Sequence, residues 1–184
     1  RQGSGVLAVC LRDPQTARWR PGALGPPART PEATIRALAS AIDATGTATG
    51  LSTRFVALDQ VADHRLHQQV ADRMATPADI RRPTLAGLLA EFADVEVAVT
   101  MRYHGAVAAA LAGAPVVSLG LSAKLTSLAD DLGPAAAHAT SPGDLPRAVG
   151  EALTGGRHVT EAVERLTELA GGNTTILDDL LEAL

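Results

Sequence analysis

Aromatic side chains are nearly missing from this chain, with only Trp19, Phe55, Phe92 and Tyr103 among 184 residues. Single-stranded nucleic acid is held on rings against which bases stack, so this scarcity argues against such a partner. No run of lysine or arginine occurs and the formal charge is -4, which is not the electrostatic footprint of a nucleic-acid binder. Cysteine occurs once, as Cys10. No internal disulfide can form, and a reducing compartment, the cytoplasm, is expected. No apolar stretch reaches the roughly 20 residues that span a bilayer. The alanine-rich segment from Ala106 to Leu121 is short and is broken by Gly113 and Pro115. The chain opens Arg-Gln-Gly-Ser-Gly, with neither methionine nor the apolar stretch of a signal peptide. Residues 1–4 therefore read as the remnant of a linker.

What is present is a hydrophobic fraction of 46%, built from alanine, valine and leucine. That is enough for one domain with one core. Gly5 to Leu11 is a short continuous apolar run, the mark of a buried parallel strand. Thr30-Pro31-Glu32 predicts a helix start, with the helix ending at Gly46. A second strand is expected over Arg54–Leu58 and a helix over Asp63–Met74. Ala75–Arg82 fits either an edge strand or a loop, and Pro83 opens a helix through Phe92. Further strands are expected at Val95–Thr100 and Val116–Leu119. Helices follow them from Tyr103 to the stop at Gly113 and from Lys124 to the stop at Gly133. Ser141-Pro142-Gly143-Asp144 opens another helix. The remaining residues read as helix interrupted by Gly171 and Gly172, with 173–184 as a terminal helix. Apolar strands alternating with helices predict an α/β fold, a parallel sheet covered on both faces.

Ligands of open parallel sheets bind beyond the carboxyl ends of the strands. Arg12 and Asp13 follow the first strand; Arg102 and His104 follow Val95–Thr100; Gly120, Ser122 and Lys124 follow Val116–Leu119. A helix start exposes backbone N–H groups and partial positive charge, so cations placed there are in conflict until an anion binds. Guanidinium groups grip phosphate or carboxylate through paired hydrogen bonds. Each residue also has a plainer reading. Arg12 would pair with Asp13, Arg102 with Glu96 or Glu91, His104 would be a core histidine, Lys124 a solvated lysine and Tyr103 a packing residue. Cys10 reads as core. His64 and His67, three apart on a helix, lack a third metal ligand and read as surface histidines. His138 and His158 show no partner pattern. Neither the dinucleotide fingerprint nor the P-loop signature occurs, so no cofactor or metal is expected.

The ordered set Met101-Arg102-Tyr103-His104, an alanine-rich helix, Gly113-Ala114-Pro115, an apolar strand, Lys124 and Ala129-Asp130-Asp131-Leu132-Gly133 resembles the polysaccharide pyruvyl transferases. The similarity is clearest over Ala90–Gly133, and the first strand's terminal Arg12 also fits. One departure is Leu121-Ser122-Ala123, where many relatives carry an aromatic residue before the lysine. The resemblance implies a Rossmann-like open sheet forming one lobe of a glycosyltransferase-B-like enzyme of cell-wall polysaccharide synthesis. This chain would be the carboxyl-terminal, donor-binding lobe. Phosphoenolpyruvate would be the donor, a glycan hydroxyl pair the acceptor and a pyruvate ketal the product. On that reading His104 and Arg102 are catalytic, and Arg12, Arg102, His104, Lys124 and Ser122 bind substrate. The isolated lobe is expected to be inactive without an amino-terminal partner lobe. The stripe Ile176, Leu177, Leu180, Leu181, Leu184 packs on the sheet or, if exposed, docks that lobe or a second copy in a homodimer. A nucleotide-sugar glycosyltransferase lobe and a non-catalytic sensor of phosphorylated metabolites are the alternatives.

Overall fold

The computed structural model describes residues 5–12, 31–120 and 122–182, with residues 31 and 172–182 as backbone only. Six parallel strands form one sheet in the order β3-β2-β1-β4-β5-β6. They are β1 (Val6–Cys10), β2 (Ser52–Val56), β3 (Ala78–Arg81), β4 (Val95–Thr100), β5 (Val116–Leu119) and β6 (Ala136–Ala139). The helices are α1 (Pro31–Thr49), α2 (Ala62–Ala71), α3 (Tyr103–Leu111), α4 (Ala123–Leu132), α5 (Leu145–Gly155) and α6 (Val159–Glu182). The fold is thus α/β and Rossmann-like, as expected.

Strands β1, β4 and β5 are apolar along most of their length because both faces are covered. One face packs Leu7, Val9, Val97 and Val117 against Ile35 and Leu38 of α1, Leu66 of α2 and Leu145 of α5. The other packs Ala8, Ala98 and Val116 against the alanines of α3, Leu125 of α4 and Val159 of α6. The small side chains of α3 let that helix lie close to the strands. Phe55 and Phe92, the two phenylalanines, are wholly buried, and each contributes about 2 kcal/mol through removal of its ring from water.

Several boundaries differ from the sequence expectation. Helix α1 passes through Gly46 and ends before Gly50, whose φ of +72° is the left-handed stop. Gly46 serves packing instead, since a Cβ there would lie 3.3 Å from the carbonyl oxygen of Leu51. The segment 75–82 contains an edge strand, β3. The helix expected over Pro83–Phe92 is two short 3₁₀ turns, Leu85–Gly87 and Leu89–Phe92. Strand β6, Ala-Ala-His-Ala, was not anticipated; it pairs with β5 over four residues, and alanine carries almost no strand signal. Gly171 does not stop α6, whose backbone runs on to Glu182. Thr30, Asp13, Trp19, Leu121 and the side chains of the terminal leucine stripe lie outside the described residues. No helix among the described residues is long and apolar enough to cross a membrane.

Candidate functional site

The strand order reverses between β1 and β4, which makes the crevice beyond their carboxyl ends the topological switch point. Arg12 leaves β1 there, and Met101 and Arg102 leave β4. The two exits are tied together by the Met101 N–H, which donates to the Cys10 carbonyl at 2.8 Å. Thr100 holds the backbone of Arg102 from both sides. Its hydroxyl oxygen accepts from the Arg102 N–H at 2.9 Å and donates to the Arg102 carbonyl at 2.8 Å. Helix α3 then opens at Tyr103 with no side-chain cap. Gly105 allows its first turn to press onto the strand ends. A Cβ at that position would sit 3.0 Å from the Thr100 hydroxyl and 3.1 Å from Cys10 Sγ.

The Arg102 guanidinium pairs with Asp63, a carboxylate on the first turn of α2 with no exposed surface. This replaces the plainer alternative, in which Arg102 pairs with Glu96 or Glu91. The second Asp63 oxygen accepts the Asp59 N–H at 2.9 Å. Asp59 in turn accepts the N–H groups of Val61 and Ala62, bonds that hold its carboxyl below the usual range. The Nε of Arg102 is buried and has no hydrogen-bond partner among the described residues.

His67 overturns the expectation of a surface histidine. It is fully buried, stacked on Phe55 with centroids 5.0 Å apart, and its Nε2 accepts the Leu11 N–H at 3.0 Å. Burial pushes its pKa down to about 3, so the ring is neutral and closes the end of β1. Cys10 is core, as read, and burial assisted by the nearby Asp63 charge raises its thiol pKa to about 12. Among the described residues no group of three metal-ligating side chains assembles.

Two cavities flank the first turn of α3. His104 is exposed and lines one of about 680 Å³, together with Leu58, Gln60, Arg82, Pro83, Thr84, Leu85 and Leu88. Its walls are joined by the Gln60 amide, which donates to the Pro83 carbonyl at 2.7 Å. Lys124 lines the other, of about 470 Å³, with Tyr103, Ala123, Ser127, Leu128 and Asp131. The rings of Tyr103 and His104 meet edge to face at 5.8 Å and stand between the two spaces. Tyr103, read from sequence as packing, is 40% exposed. Ser122 is the residue before α4, which also opens without a side-chain cap. Arg12 and Ser122 are exposed at their strand exits and line neither cavity.

Sequence reasoning missed Asp63, Gln60 and Arg82. Arg82 follows β3 as Arg102 follows β4, so the same rule of a cation after a strand would have found it had 75–82 been read as a strand. His138 also has a partner, the Ser118 hydroxyl on the neighbouring strand. His158 lies 3.3 Å from Glu161.

Fold and rim together define a Rossmann-like α/β domain in which α3 opens without a side-chain cap at the switch point. The family model of the polysaccharide pyruvyl transferases matches residues 27–122, more than half of the chain, and the chain belongs to that family. The match contains Arg102 and His104 and stops before Lys124; Arg12 lies ahead of it. No curated protein matches the sequence. Among solved structures, the crystal structure of Os79 from O. sativa in complex with UDP superposes with a TM-score of 0.56 at 13% identity. The superposition covers 86% of this chain and 35% of that one, a likeness of fold. The chain thus spans about a third of the length of that protein.

Proposed function

We propose that this chain is the donor-binding lobe of a glycosyltransferase-B-like enzyme that transfers pyruvate from phosphoenolpyruvate to a pair of glycan hydroxyls as a ketal. The observation that carries the reading is the placement of Arg102 and His104 at the uncapped start of α3, beside the β1–β4 switch point. Family membership supports the reaction class.

His104 as imidazolium gives a proton to the methylene carbon of phosphoenolpyruvate, and positive charge develops on the adjacent carbon. A sugar hydroxyl attacks that carbon and its proton returns to His104. A second hydroxyl then displaces phosphate, which leaves with that hydroxyl's proton. By the family resemblance Arg102, Arg12 and Lys124 hold the phosphate and stabilise it as it departs, and Ser122 supplies a hydroxyl and backbone N–H at the α4 start; none of the four lines the cavity that His104 lines. Glycan acceptor and a partner lobe complete the site. The single, buried cysteine fits cytoplasmic synthesis.

The UDP bound to Os79 favours a second reading, a nucleotide-sugar lobe. Thermal melting in phosphoenolpyruvate, a UDP-sugar and plain phosphate separates the two. Ligand at one hundred times its dissociation constant adds about 2.7 kcal/mol. Stabilisation by the UDP-sugar, with indifference to phosphoenolpyruvate, rejects the pyruvyl reading. In the complete enzyme His104→Gln is expected to lower turnover at least about 100-fold while donor binding is largely spared. Full activity of that variant ends the assignment of His104.

A further inference from the structure

We propose that Asp63 is a positioning residue that aims Arg102 at the donor and braces the wall of the His104 cavity; the inference rests on the donor reading above. Asp63 is a carboxylate with no exposed surface, and removing such a charge from water is costly unless both oxygens are engaged. Both are. One takes the Arg102 guanidinium, whose side chain keeps 23% of its surface open to solvent. The other takes the Asp59 N–H at 2.9 Å. Asp59 belongs to the loop that supplies Leu58 and Gln60 to the cavity lined by His104, and Gln60 bridges that loop to Pro83. One buried group thus couples the rim arginine to the wall facing the histidine.

A free arginine side chain loses rotamer freedom when it is ordered. Held by Asp63, Arg102 has part of that freedom removed before any ligand arrives, which is the physical content of preorganisation. The pairing spans 39 positions in sequence and depends on the packing of α2 beside the β1 end.

Asp63→Asn separates the two duties. The amide oxygen still accepts the Asp59 N–H, whereas the amide group no longer attracts the guanidinium. Phosphoenolpyruvate affinity is expected to fall about 10-fold, with KM rising more than kcat falls. In an Arg102→Ala background the same substitution is expected to change affinity less than about 2-fold, because its effect acts through Arg102. Asp63→Glu keeps the charge and is expected to bind more tightly than Asp63→Asn and less tightly than the parent. A purely structural role would lower the melting temperature and leave the affinity and the double-variant cycle unmoved; that result overturns the proposal. If Asp63→Asn does not fold, the cycle is run with Asp63→Glu, and parental affinity there is the overturning result. Parental affinity in Arg102→Ala alone instead removes the donor reading itself.

Discussion

The helices that start at the flanks of the carboxyl rim differ from those that start at its centre. At the flanks an acid stands at or before the helix start, although α2 and α5, like the central helices, have no side-chain bond at the cap residue itself. Asp59 accepts two backbone N–H groups ahead of α2. Asp144 accepts the Ser141 N–H and the hydroxyls of Thr140 and Ser141 before α5. At the centre, α3 and α4 open after Arg102 and Ser122 with no side-chain cap. An acid at a helix start complements the dipole and occupies the place a ligand anion would take. At the α3 start the cation Arg102 is paired with Asp63 of α2 and leaves the helix N–H groups without an acid on their own chain segment. The contrast teaches that acids stand at the flanking helix starts of this rim and at neither of the two central ones.

The sharpest way to break the comparison is Arg102→Ala. Donor affinity should drop roughly 10- to 100-fold, read by calorimetry with phosphoenolpyruvate, and the unpaired Asp63 should lower stability as well. An unchanged affinity would place the ligand elsewhere.

Next is His67→Leu, which removes the acceptor for the Leu11 N–H and should cost about 1–3 kcal/mol in denaturant unfolding. The pH dependence has a definite sign. The folded-state pKa of about 3 lies below the unfolded value near 6.5, so the unfolded chain takes the proton first. Parental stability should therefore be complete above about pH 6.5 and decline as pH falls toward 3, whereas His67→Leu should show a flatter profile over that window. Parallel profiles in the two proteins would remove the buried-neutral assignment.

The smallest effects come from exchanging the two styles of helix start. Ser122→Asp gives α4 an acid cap and should raise the melting temperature by a few degrees while weakening phosphate and phosphoenolpyruvate binding. Asp144→Ala, at a flank, should lower the melting temperature slightly and leave donor binding unaltered. Tighter anion binding in Ser122→Asp would reverse the comparison.

Much of the fold was legible along the chain. Strands β4 and β5 have the bounds that their apolar runs predict, and α3 and α4 stop at Gly113 and Gly133, whose φ values are +84° and +60°. Arg102 and His104 were visible as a cation and a titratable donor at a helix start. Each miss has a cause. Gly46 lies within a helix because the left-handed stop comes four residues later, at Gly50, and β6 is a strand because β5 offers it a partner. His67 is buried because Phe55 and the β1 terminus surround it. The β5 and Phe55 neighbours are not local in sequence, whereas that of Gly46 is Leu51, five residues on.

By itself the sequence determined the class of fold, since alternating fully apolar strands and helices can be buried only by covering a parallel sheet on both faces. It also determined which residues carry positive charge beyond the strand ends. Only the tertiary structure decided the strand order, hence the switch point, and the pairing of Arg102 with Asp63 in preference to Glu91 or Glu96. The reason is that strand order and buried ion pairs are set by contacts between distant segments, for which local periodicity holds no record.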